Sequence, residues 1–276
     1  MIQWYPGHMA KAFREIDEKI KFVDCILVLL DARIPRSSFN PDIIKRCQNK
    51  KIIFCLTKID LADSNKTNQW INYYKKQGYV VGINSKENKS RMILSKAIKD
   101  ALKEKIEKDR LKGINKKSIK VMVLGIPNVG KSTLINMLAN KKVASIGNKP
   151  GVTKSQQWIK INDDFELLDT PGVLWPKFEN DEVGFNLALI GSIKDNILPI
   201  LDICNYGVKL INDKYPNMLE KRYLIKYSEN YIETLSKEKK FYTNGELDIN
   251  KGCMTFLNDL RIGSLGRITL EEVEYE

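Results

Sequence analysis

Apolar and polar positions follow two rhythms along this chain, and the change between them divides it. In the first 180 residues, four short aliphatic runs stand out at 25–30, 52–56, 79–83 and 120–124. Runs this short, apolar on both faces and closed by polar or Gly-containing loops, predict buried parallel strands. Stretches at helical spacing lie between them, such as Trp70, Ile71 and Tyr74 after Leu61. An open α/β sheet is expected, with ligand residues on the loops that close its strands. Residues 158–161 and 165–168 alternate across Asp163 and Asp164, the pattern of a hairpin. Ahead of the first strand, Met9, Phe13, Ile16, Ile20 and Val23 recur at three- and four-residue steps, with Lys11, Arg14 and Lys21 off the stripe. That spacing predicts an N-terminal amphipathic helix.

After about residue 180 the strand rhythm stops and helical patterns take over, with Pro199 and Pro216 marking boundaries. The 276 residues suit two domains. The expected division is an α/β domain over 1–180 and a small helical domain over 181–276. Residues 89–120 carry 12 basic and 4 acidic side chains and few large apolar groups beyond Ile106. They read as a helix followed by a solvated basic linker, about 107–119, between the two halves of the first domain.

Composition removes several classes of function. The longest apolar run, 26–30, is far below the ~20 residues that cross a bilayer. No charged segment leads into an apolar stretch at the start, so the expectation is a soluble, cytoplasmic protein with no membrane partner. Five cysteines, odd in number and without a CxxC pair, support neither a disulfide framework nor a zinc domain. Reduced, buried thiols are expected. The net charge of +12 is uneven: residues 1–120 hold 27 basic and 13 acidic side chains, 121–180 hold 7 and 5, and 181–276 hold 12 and 16. The basic first segment suggests an anionic partner such as nucleic acid. A chain rich in Lys and Asn also scatters lysines over every solvated face, so charge alone leaves both readings open.

Residues 125–132, Gly-Ile-Pro-Asn-Val-Gly-Lys-Ser, fit the G-x-x-x-x-G-K-[ST] pattern between a strand and the helix that Thr133 can open. Gly125, Asn128, Val129 and Gly130 would turn backbone N–H groups toward phosphate oxygens. Lys131 supplies a charge to the β- and γ-phosphates, and the Ser132 hydroxyl suits Mg²⁺. Asp169-Thr-Pro-Gly172 follows an apolar run, its carboxylate placed for Mg²⁺ and the Gly172 N–H for the γ-phosphate. Thr153, 21 residues after Ser132, is the expected third magnesium-side residue. The base-reading residues come earlier in the chain. Thr57-Lys58-Ile-Asp60 closes the second strand, and a carboxylate at Asp60 can accept both N1–H and the 2-amino group of guanine. Adenine offers neither donor there, so the pattern favours GTP over ATP. The Lys58 stem would lie across the purine, and Asn84-Ser85-Lys86 would bring a backbone N–H to guanine O6.

Base-reading motifs ahead of the phosphate loop amount to a circular permutation of the usual GTPase order. That order, with Trp4-Tyr-Pro-Gly-His8-Met9, Asp31-Ala-Arg33-Ile-Pro, Asp169-Thr-Pro-Gly-Val173 and the ending Leu260-Arg261-Ile-Gly263-Ser-Leu-Gly266-Arg267, closely resembles the YlqF/RbgA family of ribosome biogenesis GTPases. The resemblance covers nearly the whole chain. It implies a circularly permuted P-loop GTPase domain followed by an all-helical C-terminal domain that binds ribosomal RNA. It further implies a factor for late assembly of the bacterial large (50S) subunit, in contact with rRNA and ribosomal proteins, docking with GTP and released by hydrolysis.

Two functional residues rest on resemblance. Val173 stands where many GTPases carry a water-orienting Gln, and His8, the only histidine in the chain, matches the residue to which the family's catalysis is attributed. Asn128 is similar to the asparagine that binds K⁺ in potassium-stimulated GTPases. Arg33, Arg36, Arg261 and Arg267 are the RNA-contact candidates. Thr57 departs from the usual Asn, keeping a hydroxyl but losing the amide that ties this loop to the phosphate loop, so weaker guanine affinity is expected while Asp60 keeps the selectivity. A nucleotide-regulated RNA-binding scaffold with little turnover remains the alternative. The permuted type acting on the small subunit carries an oligonucleotide-binding barrel and a Cys/His zinc domain, for which this sequence has no room.

Overall fold

The computed structural model describes residues 7–47, 49–114, 118–144, 156–178, 180–194 and 199–274, the His8 side chain excepted. Helix α1 (Gly7–Lys19) leads through a single 3₁₀ turn into β1 (Cys25–Asp31). The stripe behaves as its spacing predicts, with Met9, Phe13 and Ile16 buried, but the helix ends before Ile20. There follow α2 (Pro41–Cys47), β2 (Lys51–Thr57), α3 (Ser64–Lys75), β3 (Tyr79–Ile83), α4 (Asn88–Ala101) and α5 (Lys103–Leu111). The second half of the α/β unit comprises β4 (Ile119–Gly125), α6 (Lys131–Ala139), β5 (Gln157–Lys160) and β6 (Phe165–Asp169).

Six strands form one sheet in the order β3-β2-β1-β4-β6-β5, parallel except for β5, which pairs antiparallel with β6 as the hairpin pattern predicts. The chain therefore winds outward from β1 to β3, returns to lay β4 on the other side of β1, and continues outward again. Such a reversal opens a crevice beyond the carboxyl ends of the two central strands, where ligands of open α/β sheets bind. All seven residues of β1 are buried, as a central strand covered on both faces requires. Alternate side chains enter two cores. Leu27, Leu29, Val121 and Val123 face α4 and α6, while Ile26, Val28, Met122 and Leu124 face α1, α2 and α3.

The segment expected to be a basic linker is shorter than its composition suggests. Helix α5 extends to Leu111 with no buried residue, held by the helix propensity of its Lys, Glu and Arg residues rather than by an apolar stripe.

The C-terminal region is helical as expected: α7 (Asp181–Leu189), α8 (Ile200–Lys214), α9 (Met218–Tyr223), α10 (Tyr231–Glu238) and α11 (Ile249–Ile262), with a minimal hairpin of β7 (Tyr242–Thr243) and β8 (Glu246–Leu247) before α11. Its core is continuous with one face of the sheet, since Leu187, Ile203, Phe256 and Leu260 share a cluster with Leu27 and Val123. Beyond α11 the chain has no regular structure and doubles back along the first domain. The Ile268 N–H donates to Leu61 O (3.0 Å) and the Leu270 N–H to Arg33 O (2.8 Å). Glu271 is buried and accepts from the Arg36 N–H (2.6 Å), from the N–H and hydroxyl of Ser37, and from Asn186 Nδ2 (3.1 Å). All five cysteines are buried, and no described helix is long and apolar enough to cross a membrane.

Candidate functional site

Neighbouring parallel strands deliver the sequence-predicted residues to one end of the sheet: β4 ends at Gly125, β6 at Asp169 and β2 at Thr57, with β1 ending between them at Asp31. Permutation changes the order in which the chain supplies these strands. It leaves their carboxyl ends side by side.

The loop from Gly125 to Gly130 turns into α6 through Gly130, whose φ of 108° belongs to the range that favours glycine. Lys131 is buried and folds back on its own loop, with Nζ donating to Gly125 O (3.1 Å) and Ile126 O (2.8 Å). Burial pulls its ammonium down to about 8. Ser132 and Thr133 lie in the first turn of α6, partly accessible. Asp169 is buried, and its Oδ1 has no hydrogen-bond partner among the described residues. Burial raises its carboxyl above the usual range, against the pull of Lys131. The turn after it presses on the phosphate loop. A Cβ on Gly172 would lie 2.5 Å from Pro127 Cα, so only glycine fits, and the Val173 N–H donates to Gly125 O (3.2 Å). The Val173 side chain is fully buried, so it presents nothing to water.

Thr57 corrects an expectation. Its hydroxyl lies 2.6 Å from Val129 O and 3.1 Å from Leu30 O, so the tie to the phosphate loop is made by a hydroxyl in place of an amide. Lys58, at φ 57°, spans both sides of the crevice, with Nζ donating to Asn128 O (2.7 Å) and Asp31 Oδ2 (2.9 Å). Its stem carries a charge that is already bridged. Asp60 accepts from Lys86 Nζ (2.8 Å), bringing the two predicted base-side segments together. Asn84 shapes the second segment, its Oδ1 accepting from the Lys86 N–H (3.1 Å) and its Nδ2 donating to Glu87 (2.6 Å), with Ser85 between them.

Sequence reasoning passed over Asp31 as a site residue. It is fully buried, and its carboxylate accepts from the Arg33 N–H (3.1 Å), Nε (2.9 Å) and Nη2 (2.8 Å) besides Lys58. Burial alone would raise this carboxyl, but Arg33 and Lys58 outweigh it and hold it well below the carboxylate range. The available signal was a charged residue closing an otherwise apolar strand, with an arginine two positions on.

All four arginines expected on RNA have partners within the protein, two of them at exposed positions. Arg33 is buried at 2% exposure, because Asp31 neutralises it and its Nη1 donates to Arg261 O (3.2 Å). Arg261 in turn donates from Nε to Leu189 O (3.0 Å) and from Nη2 to Ala188 O (2.7 Å), closing the end of α7. Arg36 is exposed but paired with Glu274 at 2.7 Å. Arg267 is exposed, its Nε donating to the backbone carbonyl of Asp60 (3.1 Å). The turn after α7 meets the phosphate loop directly. Asn128 Nδ2 donates to Gly191 O (2.6 Å) and Ser192 Oγ to Pro127 O (2.8 Å). Asn128, expected to bind K⁺, thus ties the loop to the C-terminal region. His8 is the second residue of α1; its side chain, and Thr153, lie outside the described residues.

Comparison with known proteins agrees with this geometry. A family model described as RsgA GTPase matches residues 22–179, and one described as a 50S ribosome-binding GTPase matches residues 120–239. The chain is similar to ribosome biogenesis GTPase A of Priestia megaterium, 44% identical across 98% of this chain and 96% of that protein. It is 30% identical to the protein of the same name from Thermotoga maritima, over 99% of this chain and 95% of the relative. Among solved structures, GNP-bound YlqF from T. maritima superposes with a TM-score of 0.67 at 26% identity, covering 95% of this chain and 98% of that one.

Proposed function

The chain belongs to the ribosome biogenesis GTPase A family, GTP-hydrolysing enzymes that bind guanine nucleotide, and from that premise we propose that it acts in the cytoplasm in late assembly of the large ribosomal subunit. It docks with GTP on rRNA and ribosomal proteins of an immature particle and leaves after hydrolysis. The observation that carries this reading is the direct seam between phosphate loop and C-terminal helices, through Asn128–Gly191 and Ser192–Pro127. Nucleotide state at the loop is felt at once by the helical domain, which a docking switch requires. The large-subunit assignment is supported by the family model described as a 50S ribosome-binding GTPase.

Within the site, the backbone of residues 125–130 and Lys131 cradle the phosphates. Asp60 reads the guanine edge, with Ser85 and Lys86 beside it. The donor set fits Mg²⁺: Asp169 presents a buried carboxylate oxygen with no partner among the described residues, and a hydroxyl stands at Ser132, with Thr153 as a third residue. When bound, the ion would neutralise charge on the phosphates. Because Val173 is buried and apolar, water must be oriented from elsewhere, and His8 is the proposed residue, its imidazole able to accept a proton near neutral pH. A K⁺ ion acting as an arginine finger would be held by Asn128 Oδ1, the Nδ2 of the same amide donating to Gly191 O.

The test is GTP turnover in K⁺ buffer for the protein alone, with large subunits and with small subunits. Stimulation by large subunits alone is expected, falling about 100-fold in His8→Ala with GTP affinity kept, the scale of a general acid–base residue. Equal rates in Na⁺ would remove the potassium role. Stimulation by small subunits alone would overturn the assignment, and no stimulation by either particle would favour the scaffold reading.

A further inference from the structure

Resting on the proposed role of Asp60, we infer that the segment after α11, residues 267–270, is part of the base-reading site, with Arg267 and Thr269 as positioning residues for Asp60. Neither residue would touch nucleotide. Both act through the loop that follows β2 (residues 58–63), which carries Asp60 on a stretch without regular structure.

Four hydrogen bonds carry the inference. Arg267 Nε donates to the carbonyl of Asp60 itself (3.1 Å). The Ile268 N–H donates to Leu61 O (3.0 Å). The Thr269 hydroxyl accepts from the Asp63 N–H (3.2 Å) and donates to Ala32 O (3.1 Å), linking the Asp60 loop to the loop after β1. Packing adds a stop beneath them, since a Cβ on Gly263 would lie 2.8 Å from Leu61 Cδ2. The Asp60 loop is thereby fixed from outside at residues 60, 61 and 63, by a segment more than 200 positions away in sequence. The segment is itself anchored, through Glu271 on Ser37 and Asn186 and through Tyr215 on Thr269.

A carboxylate that must accept two parallel hydrogen bonds from one base edge tolerates little misplacement, because such bonds weaken steeply with angle. In ordinary GTPase order this loop runs on toward the chain's end within one domain. Here the permutation leaves the C-terminal region free to supply its outer wall.

The experiment measures dissociation constants of GDP and IDP for the full-length protein, wild type and variants, beside their melting temperatures. IDP lacks the 2-amino group, so the GDP-to-IDP affinity ratio reports Asp60's grip on the base independently of the phosphates. Wild type is expected to prefer GDP by about 10–100-fold, the range for one hydrogen bond to a charged acceptor. Arg267→Ala, at an exposed position, is expected to lower that ratio about threefold, and with Thr269→Val about tenfold, while IDP affinity changes less than threefold. Arg267→Lys keeps a donor for the Asp60 carbonyl and is expected to recover most of the ratio. A merely structural segment would lower the melting temperature and weaken GDP and IDP by the same factor; an unchanged ratio in Arg267→Ala and the double variant overturns the inference. A wild type that does not distinguish GDP from IDP overturns the Asp60 assignment, and the inference with it.

Discussion

Asp60→Asn is expected to convert a guanine-nucleotide site into a xanthine-nucleotide site. The carboxylate accepts two hydrogen bonds from guanine, at N1–H and the 2-amino group. An asparagine keeps one acceptor but turns an N–H₂ group against the amino group, so one bond is lost and two donors face each other. Xanthine carries a carbonyl at that position, which accepts from the same amide. Loss of a charge-assisted bond and an unsatisfied donor together are worth about 3 kcal/mol, or roughly 100-fold in GDP affinity. Stability should change little, because Asp60's partner Lys86 is an exposed lysine and such pairs contribute ~0–1 kcal/mol. Competition of XDP and GDP against a fluorescent guanine nucleotide checks the result. A variant that still prefers GDP would place base recognition elsewhere.

Asp31→Ala is expected to be the most destabilising single substitution at the site. It strips a buried carboxylate from Arg33 and Lys58, leaving both cations without the anion that pairs them. Breaking a buried pair in this way costs about 3–5 kcal/mol, which for a domain of this size lowers the melting temperature by about 10 °C. The damage should extend to nucleotide binding, since Lys58 also holds the phosphate loop at Asn128. The pH dependence has a definite sign. Arg33 and Lys58 overcome burial and depress the folded carboxyl below its ordinary 3.8. Its stabilisation is therefore complete above that value and lost as pH falls further, when the unfolded chain takes up a proton that the native chain refuses. The gap in stability between wild type and Asp31→Asn should stay constant from pH 7 to 5 and narrow only below about pH 4. A gap already closing at pH 6 would mean that Asp31 is not held ionised by its neighbours.

Much of this fold is legible in sequence because its strands are short, apolar and bounded by polar loops. Four of them close on residues whose chemistry announces itself: the phosphate loop after β4, Asp169 after β6, Thr57 to Asp60 after β2, and Asn84 to Lys86 after β3. Local spacing carries that information, since each motif is one contiguous turn. What spacing does not carry is the partner of a side chain distant in sequence. The hydroxyl of Thr57 finds Val129, 72 positions on, and restores the tie that a missing amide seemed to remove. Arg33 and Arg261 read as candidates for RNA contact until the fold brings one to Asp31 and the other to the end of α7. The return of the C-terminal segment along the first domain left no periodic signal, because a stretch without regular structure, held through single side chains and backbone groups, has neither period. Helix α5 was hidden for the opposite reason, a charged sequence with good propensity and nothing to bury.

The hydrogen bonds Asn128–Gly191 and Ser192–Pro127 join the helical domain to the phosphate loop, and the proposed function requires this seam to gate docking on the immature large subunit. Co-sedimentation with large-subunit precursors, compared between a non-hydrolysable GTP analogue and GDP at equal occupancy, tests it most directly. The account predicts that the GTP-analogue form travels with the particle and the GDP form remains behind, with a difference of at least tenfold in affinity. Equal binding in the two states would contradict it.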